Sequence, residues 1–208
     1  MSGFFITGTD TDVGKTVAAA WGCLQLDATY WKPIQSGLAD GLSDTDVVHK
    51  LTEKSASDFL KSRYSLTEPL SPHEAARLDG VRISLDDFWL PQTERPLIVE
   101  GAGGVMVPIN EEDLMLDLMH HLGLPVIVVA RSTLGTINHT LLTLAALRKA
   151  QLPVAGVILN GPENEANKLA IETYGNVPIL GFLPPLSPLN KQALLDVAPL
   201  IAPNQWTS

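Results

Sequence analysis

Gly8-Thr9-Asp10-Thr11-Asp12-Val13-Gly14-Lys15-Thr16 is the stretch that decides how this chain reads. A short apolar run, Phe4–Thr7, leads into it, and a segment with helical spacing, Lys15–Leu26, leaves it. Strand, glycine-bounded loop and helix in that order are the setting of a phosphate-binding loop. Glycines let backbone N–H groups approach phosphate oxygens, and the helix N-terminus adds the positive end of its dipole. Lys15 is placed to neutralise terminal phosphates, and Thr16 to offer a hydroxyl to Mg²⁺. The strict spacing of such loops wants its first glycine at position 9, whereas here it is Gly8. Asp10 and Asp12 are unusual beside a polyphosphate. They read either as exposed turn residues or as contacts to a cationic substrate or to purine donors.

Working outward, β-branched and apolar runs at Thr29–Lys32, Leu97–Glu100, Val126–Ala130, Val154–Leu159 and Ile179–Phe182 alternate with helical patterns. The helical segments are Asp46–Lys54, Leu114–Leu122, a stretch with Ile137, Leu141, Leu144 and Ala145 on its buried face, Glu163–Tyr174 and Leu189–Leu200. This alternation predicts an α/β fold: a doubly wound, mostly parallel sheet with helices on both faces, of the phosphate-loop NTPase kind. Several strands are apolar throughout, as strands covered on both faces must be. Between Ser55 and Arg95 the pattern is irregular, with Pro69, Pro72, Pro91 and Pro96 as breakers and a short helix expected after Pro72. A length of 208 residues suits one domain spanning the chain.

Composition narrows the partners. Net charge is −9 and the 14 Lys and Arg are scattered, which argues against nucleic acid or an anionic membrane and leaves a small anionic ligand. Cys23 is the single cysteine, expected in a helix and read as a small core side chain in a reducing, cytoplasmic setting. Met1-Ser2-Gly3-Phe4-Phe5-Ile6 lacks the basic region of a signal peptide, and no apolar run is long enough to cross a bilayer.

Three further stretches carry chemistry. Trp31-Lys32-Pro33-Ile34-Gln35-Ser36-Gly37 ends the second strand, where ligands of doubly wound sheets bind, so Lys32 is expected beside the loop unless it is a solvated strand-end lysine. Val99-Glu100-Gly101-Ala102-Gly103-Gly104 places an acid at the end of an apolar strand. A carboxylate there is a candidate Mg²⁺ ligand, and burying it unpaired would be costly. Asn160-Gly161 closes a fifth strand, either to read the edges of adenine or simply to form a turn.

Taken in order, Gly8–Thr16, Trp31–Gly37, Glu68–His73, Val99–Gly104 and Leu134–His139 resemble the motifs of the dethiobiotin synthetase family over nearly the whole chain. The early glycine belongs to that family's loop. The resemblance implies ATP- and Mg²⁺-dependent carboxylation and ring closure of 7,8-diaminopelargonic acid with CO₂ or bicarbonate. It also implies Lys15 and Lys32 as catalytic residues, and Thr11, Ser36 and Lys32 as substrate contacts. Nucleotide contacts are implied at Asp12, Val13, Gly14, Lys15, Thr16, Val17, Asp46, Glu100, Gly101, Ala102, Gly103, Asn160 and Gly161, with Pro184, Pro185 and Leu186 as a base wall. For the metal it implies Thr16, Glu100 and one of two aspartates, Asp46 preferred and Asp44 second, because Val47 and Val48 follow Asp46. Leu134–His139 resembles the family's dimer-interface segment and implies a homodimer. A regulatory or positioning ATPase, or a non-catalytic nucleotide-binding module, is the alternative. Against the former, Thr9-Asp10-Thr11 stands where such ATPases carry a signature lysine.

Overall fold

The computed structural model describes residues 3–206. Met1 and Ser2 of the N-terminal stretch, and Thr207 and Ser208, lie outside the described residues. The chain runs through β1 (Gly3–Gly8), α1 (Lys15–Leu26), β2 (Thr29–Trp31), β3 (Ile34–Gln35), α2 (Asp44–Thr52), β4 (Phe59–Leu60), β5 (Tyr64–Ser65) and α3 (Pro72–Leu78). It continues through β6 (Leu97–Gly104), α4 (Met115–Leu122), β7 (Val126–Arg131), α5 (Thr136–Lys149), β8 (Val154–Asn160), α6 (Glu165–Gly175), β9 (Ile179–Leu183) and α7 (Lys191–Leu195).

Seven strands form one sheet in the order β4-β2-β6-β1-β7-β8-β9, with every neighbouring pair parallel. A parallel β3–β5 pair stands apart from it. Side chains alternate across the sheet. Phe4, Ile6, Tyr30, Ile98, Ile127 and Ile158 face α1, α2 and α7, while Phe5, Val99, Val128, Val157 and Leu159 face α3, α4, α5 and α6. Two apolar layers result, and the doubly wound architecture expected from the alternating pattern is present. The order also has a consequence for chemistry. Inserting β6 between β1 and β2 sets the loop after β1, the end of β6 and the end of β2 side by side at the carboxyl edge of the sheet.

Several boundaries differ from expectation for identifiable reasons. β2 stops at Trp31 rather than Lys32, because Pro33 cannot donate to a ladder and restricts the residue before it. α2 begins at Asp44, two residues early, because Ser43 caps it: its hydroxyl accepts the Asp46 N–H, and the Asp46 carboxylate accepts the Ser43 N–H. The expected helix over Leu189–Leu200 shrinks to α7. Pro199 opposes continuation, the Val197 carbonyl accepts the Trp21 indole N–H at 3.0 Å, and the Leu200 N–H turns to the Leu180 carbonyl beside β9. On α5 the most deeply buried positions are Thr136, Thr140, Thr143, Leu144 and Leu147, and Ala145 is exposed. The C-terminal stretch is anchored by Trp206, stacked 5.4 Å from Trp21 and edge-on to Phe4 at 6.0 Å. Such pairs contribute roughly 0.5–1.5 kcal/mol each beyond burial.

Candidate active site

The loop after β1 curls over its own first glycine. A Cβ on Gly8 would stand 2.8 Å from Val13 Cγ2 and 3.1 Å from Lys15 Nζ, so the early glycine is a steric requirement of this loop. Gly14 has φ +92°, and a Cβ there would lie 2.1 Å from Asn160 Nδ2. Only glycine meets both conditions. The Asn160 amide donates to the Val13 carbonyl at 2.9 Å, so the asparagine that ends β8 ties the loop to the sheet. Asp10 is held by its own neighbours: its carboxylate accepts the Thr11 N–H at 2.8 Å and pairs with Arg131 at 3.2 Å, while Arg131 also donates to the Thr11 carbonyl. Of the two readings offered for Asp10, the geometry supports the structural one.

A cavity of about 680 Å³ opens beside this loop. It is lined by Thr11, Asp12, Gly14, Lys15, Thr16, Lys32, Gln35, Ser36, Asp44, Glu100, Ala102 and Gly103, among others. Val13 is buried behind the loop, Val17 packs partly into the apolar layer beneath α1, and Gly101 contributes its carbonyl rather than a surface. Gly161, Pro184, Pro185 and Leu186 do not line this cavity, and neither does Asn160. Pro184 and Pro185 are exposed, and Leu186 is half-buried.

At its centre Lys32 is buried, with Nζ 2.6 Å from Asp44 Oδ2, 3.0 Å from Glu100 Oε1 and 3.0 Å from the Gly101 carbonyl. It is not a solvated strand-end lysine. Thr16 Oγ1 lies 2.9 Å from Glu100 Oε1 and 3.2 Å from Asp44 Oδ1, so its single proton is shared between two carboxylates. Tyr30 donates its phenol to Glu100 Oε2 at 2.8 Å. Burial, with the Glu100 charge next, pushes that phenol's pKa well up, which keeps it a donor. Burial works against the Lys32 ammonium, yet Glu100 and Asp44 outweigh it and raise its pKa. In the same way burial works against the Asp44 carboxylate, but Lys32 dominates and holds its pKa below the ordinary range. Lys15 differs: burial first, then the nearby Lys32 charge, lower its pKa despite the surrounding acids.

The geometry favours Asp44 over Asp46, against the preference drawn from the sequence. Asp46 is exposed and committed to the α2 cap, accepting from Ser43 Oγ at 2.6 Å, whereas Asp44 faces Thr16 and Lys32. Two residues along a helix turn the side chain through about 200°, so the two acids cannot share a face. Gln35 holds the start of α2 at Asp44: its Oε1 accepts the Asp44 N–H at 3.0 Å, and its Nε2 donates to the Ser36 carbonyl. Tyr30 and Gln35 also hold site carboxylate residues in place, and no sequence motif assigns them that part. The available signal was that a buried tyrosine hydroxyl or glutamine amide needs a partner.

The donors fit a hard cation. One hydroxyl and two carboxylates converge, and Mg²⁺ takes one or two carboxylates together with substrate phosphates. Among the described residues no three His, Cys, Asp or Glu side chains cluster into a protein-only metal cage. The loop likewise fits phosphate, since it runs into the N-terminus of α1 and turns Gly14, Lys15 and Thr16 to the cavity. Ser36 Oγ is buried in the cavity wall without a partner among the described residues, a polar atom left for a ligand.

A family model described as an AAA domain matches residues 2–193. The cell division ATPase MinD of Pyrococcus furiosus shares the fold with a TM-score of 0.56 at 15% identity, covering 94% of this chain and 88% of that one. A ParA family ATPase from Chlorobium tepidum does so at 0.53 and 15%, covering 95% and 90%. Similarity at that level speaks for the fold alone. Sequence kinship lies elsewhere. The ATP-dependent dethiobiotin synthetase BioD of Paramagnetospirillum magneticum is 51% identical over 199 residues, 96% of each chain. That of Lawsonia intracellularis is 47% identical over 194 residues, 93% of each. Identity of that extent, sustained along nearly the full length of both proteins, means that this chain belongs to the ATP-dependent dethiobiotin synthetase family.

Proposed function

We propose that this chain closes the cyclic urea of dethiobiotin. One amine of 7,8-diaminopelargonic acid adds to CO₂ and loses a proton, giving a carbamate. A carbamate oxygen takes the terminal phosphoryl group of ATP and ADP leaves. The second amine then attacks the carbonyl carbon, and phosphate departs. No enzyme nucleophile is required, and the only thiol, Cys23, is buried in α1 with its pKa pushed up by burial.

The observation that carries this reading is Lys32. A buried ammonium beside a phosphate-binding cradle, with Glu100 and Asp44 at 3.0 and 2.6 Å, is placed to hold a carbamate anion where a terminal phosphate arrives. Lys15 supplies the second cation and, among the described residues, has only the Asp10 carbonyl as a hydrogen-bond partner, at 3.0 Å. Ser36 and Thr11 lie along the same cavity to meet the diamine. Thr16, Asp44 and Glu100 would hold Mg²⁺, which when bound neutralises phosphate charge as bonds to phosphorus change. Asn160 and the 184–186 stretch are assigned to the base side of the nucleotide.

The reading includes a cytoplasmic homodimer. Leu134, Leu142 and Met106 are largely exposed, and Met106 and Leu142 share a cavity with Thr9, Asp10 and Thr11 of the loop; they offer the apolar face that the Leu134–His139 segment would bring to a second copy. Among the described residues no helix is long and apolar enough to cross a membrane.

The test is ADP release measured with ATP, Mg²⁺ and bicarbonate, with and without the diamine, alongside sedimentation of the same sample. Diamine-dependent release with dethiobiotin as product is expected from a dimer. Release that ignores the diamine would sink the synthetase reading, and a fully active monomer would remove the shared interface.

A further inference from the structure

We propose that Tyr30 is a positioning residue for the carboxylate that faces the metal. Its phenol holds one oxygen of Glu100 so that only the other is presented to the cation. The proposal rests on the reading that Glu100 faces Mg²⁺.

Tyr30 sits on β2 opposite Ile98 of β6, two residues before Glu100 on that strand. Its side chain is fully buried, and its hydroxyl reaches Glu100 Oε2 at 2.8 Å. Glu100 Oε1 points the other way, toward Thr16 Oγ1 at 2.9 Å and Lys32 Nζ at 3.0 Å. The two oxygens of one carboxylate therefore have separate duties. Rotating Glu100 to offer both to an ion would leave a buried phenol donor without a partner, which is unfavourable. The ring itself is held independently, tilted against Phe59 with centroids 6.1 Å apart. Removing the hydroxyl alone should leave that packing in place.

Single-oxygen presentation matters because the common hard cations differ in what they accept. Mg²⁺ demands a compact, near-octahedral shell, whereas the larger Ca²⁺ takes carboxylates through one oxygen or both. A phenol that blocks two-oxygen binding therefore favours the smaller ion. Residues that orient metal ligands typically change metal affinity by roughly 10- to 100-fold when altered.

The experiment is Mn²⁺ binding followed by electron paramagnetic resonance on the full chain with ADP, then displacement by Mg²⁺ and by Ca²⁺. It compares the wild type with Tyr30→Phe and Glu100→Gln, and thermal melts are run in parallel. For Tyr30→Phe we expect Mg²⁺ affinity to fall roughly 10-fold and preference to move toward Ca²⁺, alongside a melt lowered by the loss of one hydrogen bond to a buried carboxylate. A purely structural hydroxyl would shift the melt and leave the Ca²⁺-to-Mg²⁺ ratio alone. If Glu100→Gln weakens binding while Tyr30→Phe binds with wild-type affinity and ratio, Tyr30 positions nothing and the proposal fails. If Glu100→Gln also binds normally, the metal reading itself fails, and the proposal goes with it. Should Tyr30→Phe not fold, 3-fluorotyrosine at position 30 keeps the ring and strengthens the donor. The ratio should then move toward Mg²⁺, and an unchanged ratio overturns the proposal.

Discussion

The loop after β1 and the turn after β2 each deliver a lysine to the same cavity, and they hold it by opposite means. Lys15 is 8% exposed and has the Asp10 carbonyl as its hydrogen-bond partner. Burial and the charge of Lys32 lower its pKa. Lys32 is more deeply buried at 3% exposure, yet its pKa is raised, because Glu100 and Asp44 stand within ion-pair distance. A buried cation with one neutral partner is under-satisfied until an anion arrives. One already gripped by two carboxylates is part of the folded structure as well as of the site. The loop is thus built to be completed by phosphate, whereas Lys32 has its charge balanced before any ligand binds.

The sharpest way to break that contrast is Lys15→Ala. Turnover should fall on the order of a hundredfold or more, since charge stabilisation of the transferring phosphoryl is lost. Stability of the nucleotide-free protein should not fall with it. A lysine whose folded pKa is lowered costs the fold stability while it is charged, and that cost fades as pH rises through the folded pKa. Removing it should leave the melt unchanged or higher. Near-normal ADP release, or a marked drop in Tm, would refute the assignment of this loop.

Lys32→Gln should behave in the opposite way. It leaves Asp44 and Glu100 facing each other without their cation, and breaking a buried pair costs about 3 kcal/mol or more. Denaturant unfolding should show that loss, and added Mg²⁺ should recover part of it by replacing the missing positive charge. Nucleotide affinity should stay close to wild type while ring closure drops, with the loss in turnover and diamine use. Should nucleotide affinity fall as steeply as ring closure, Lys32 is a nucleotide ligand and the division between the two lysines is wrong.

The smallest effect separates the neighbouring aspartates. Asp44→Asn should weaken the Mg²⁺ dependence of ADP release and flatten the acid side of the stability profile. Its carboxyl is held below the usual range, so the stability it contributes is present at neutral pH. That contribution is lost as pH falls below about 4 through the lowered value. Asp46→Ala should cost about 1 kcal/mol through the helix cap and leave the metal dependence unchanged. A reversal of these two phenotypes would restore Asp46 to the metal and place the α2 cap elsewhere.

Features that depend on neighbours along the chain were legible without the fold. Short continuous apolar runs between helical stretches, with a glycine-bounded loop ahead of Lys15, are local patterns, and they were sufficient for a parallel α/β sheet and a phosphate-binding loop. Glu100 was legible as well, because an acid closing an apolar strand is conspicuous. Tertiary structure decided the rest. Only the strand order β2-β6-β1 brings Lys32 and Glu100 within 3.0 Å beside the loop, although 68 positions separate them. The choice of Asp44 over Asp46 depended on helix phase, which the Ser43 cap sets and which apolar neighbours could not reveal. The length of α7 followed from Trp21 and Leu180, distant residues that take the backbone groups a longer helix would have used. Tyr30 shows the limit most clearly: in the sequence it is one aromatic in a strand, and its bond to Glu100 exists because two parallel strands lie in contact. Hydrogen-bond partners chosen across a sheet leave no periodic trace in the chain that supplies them.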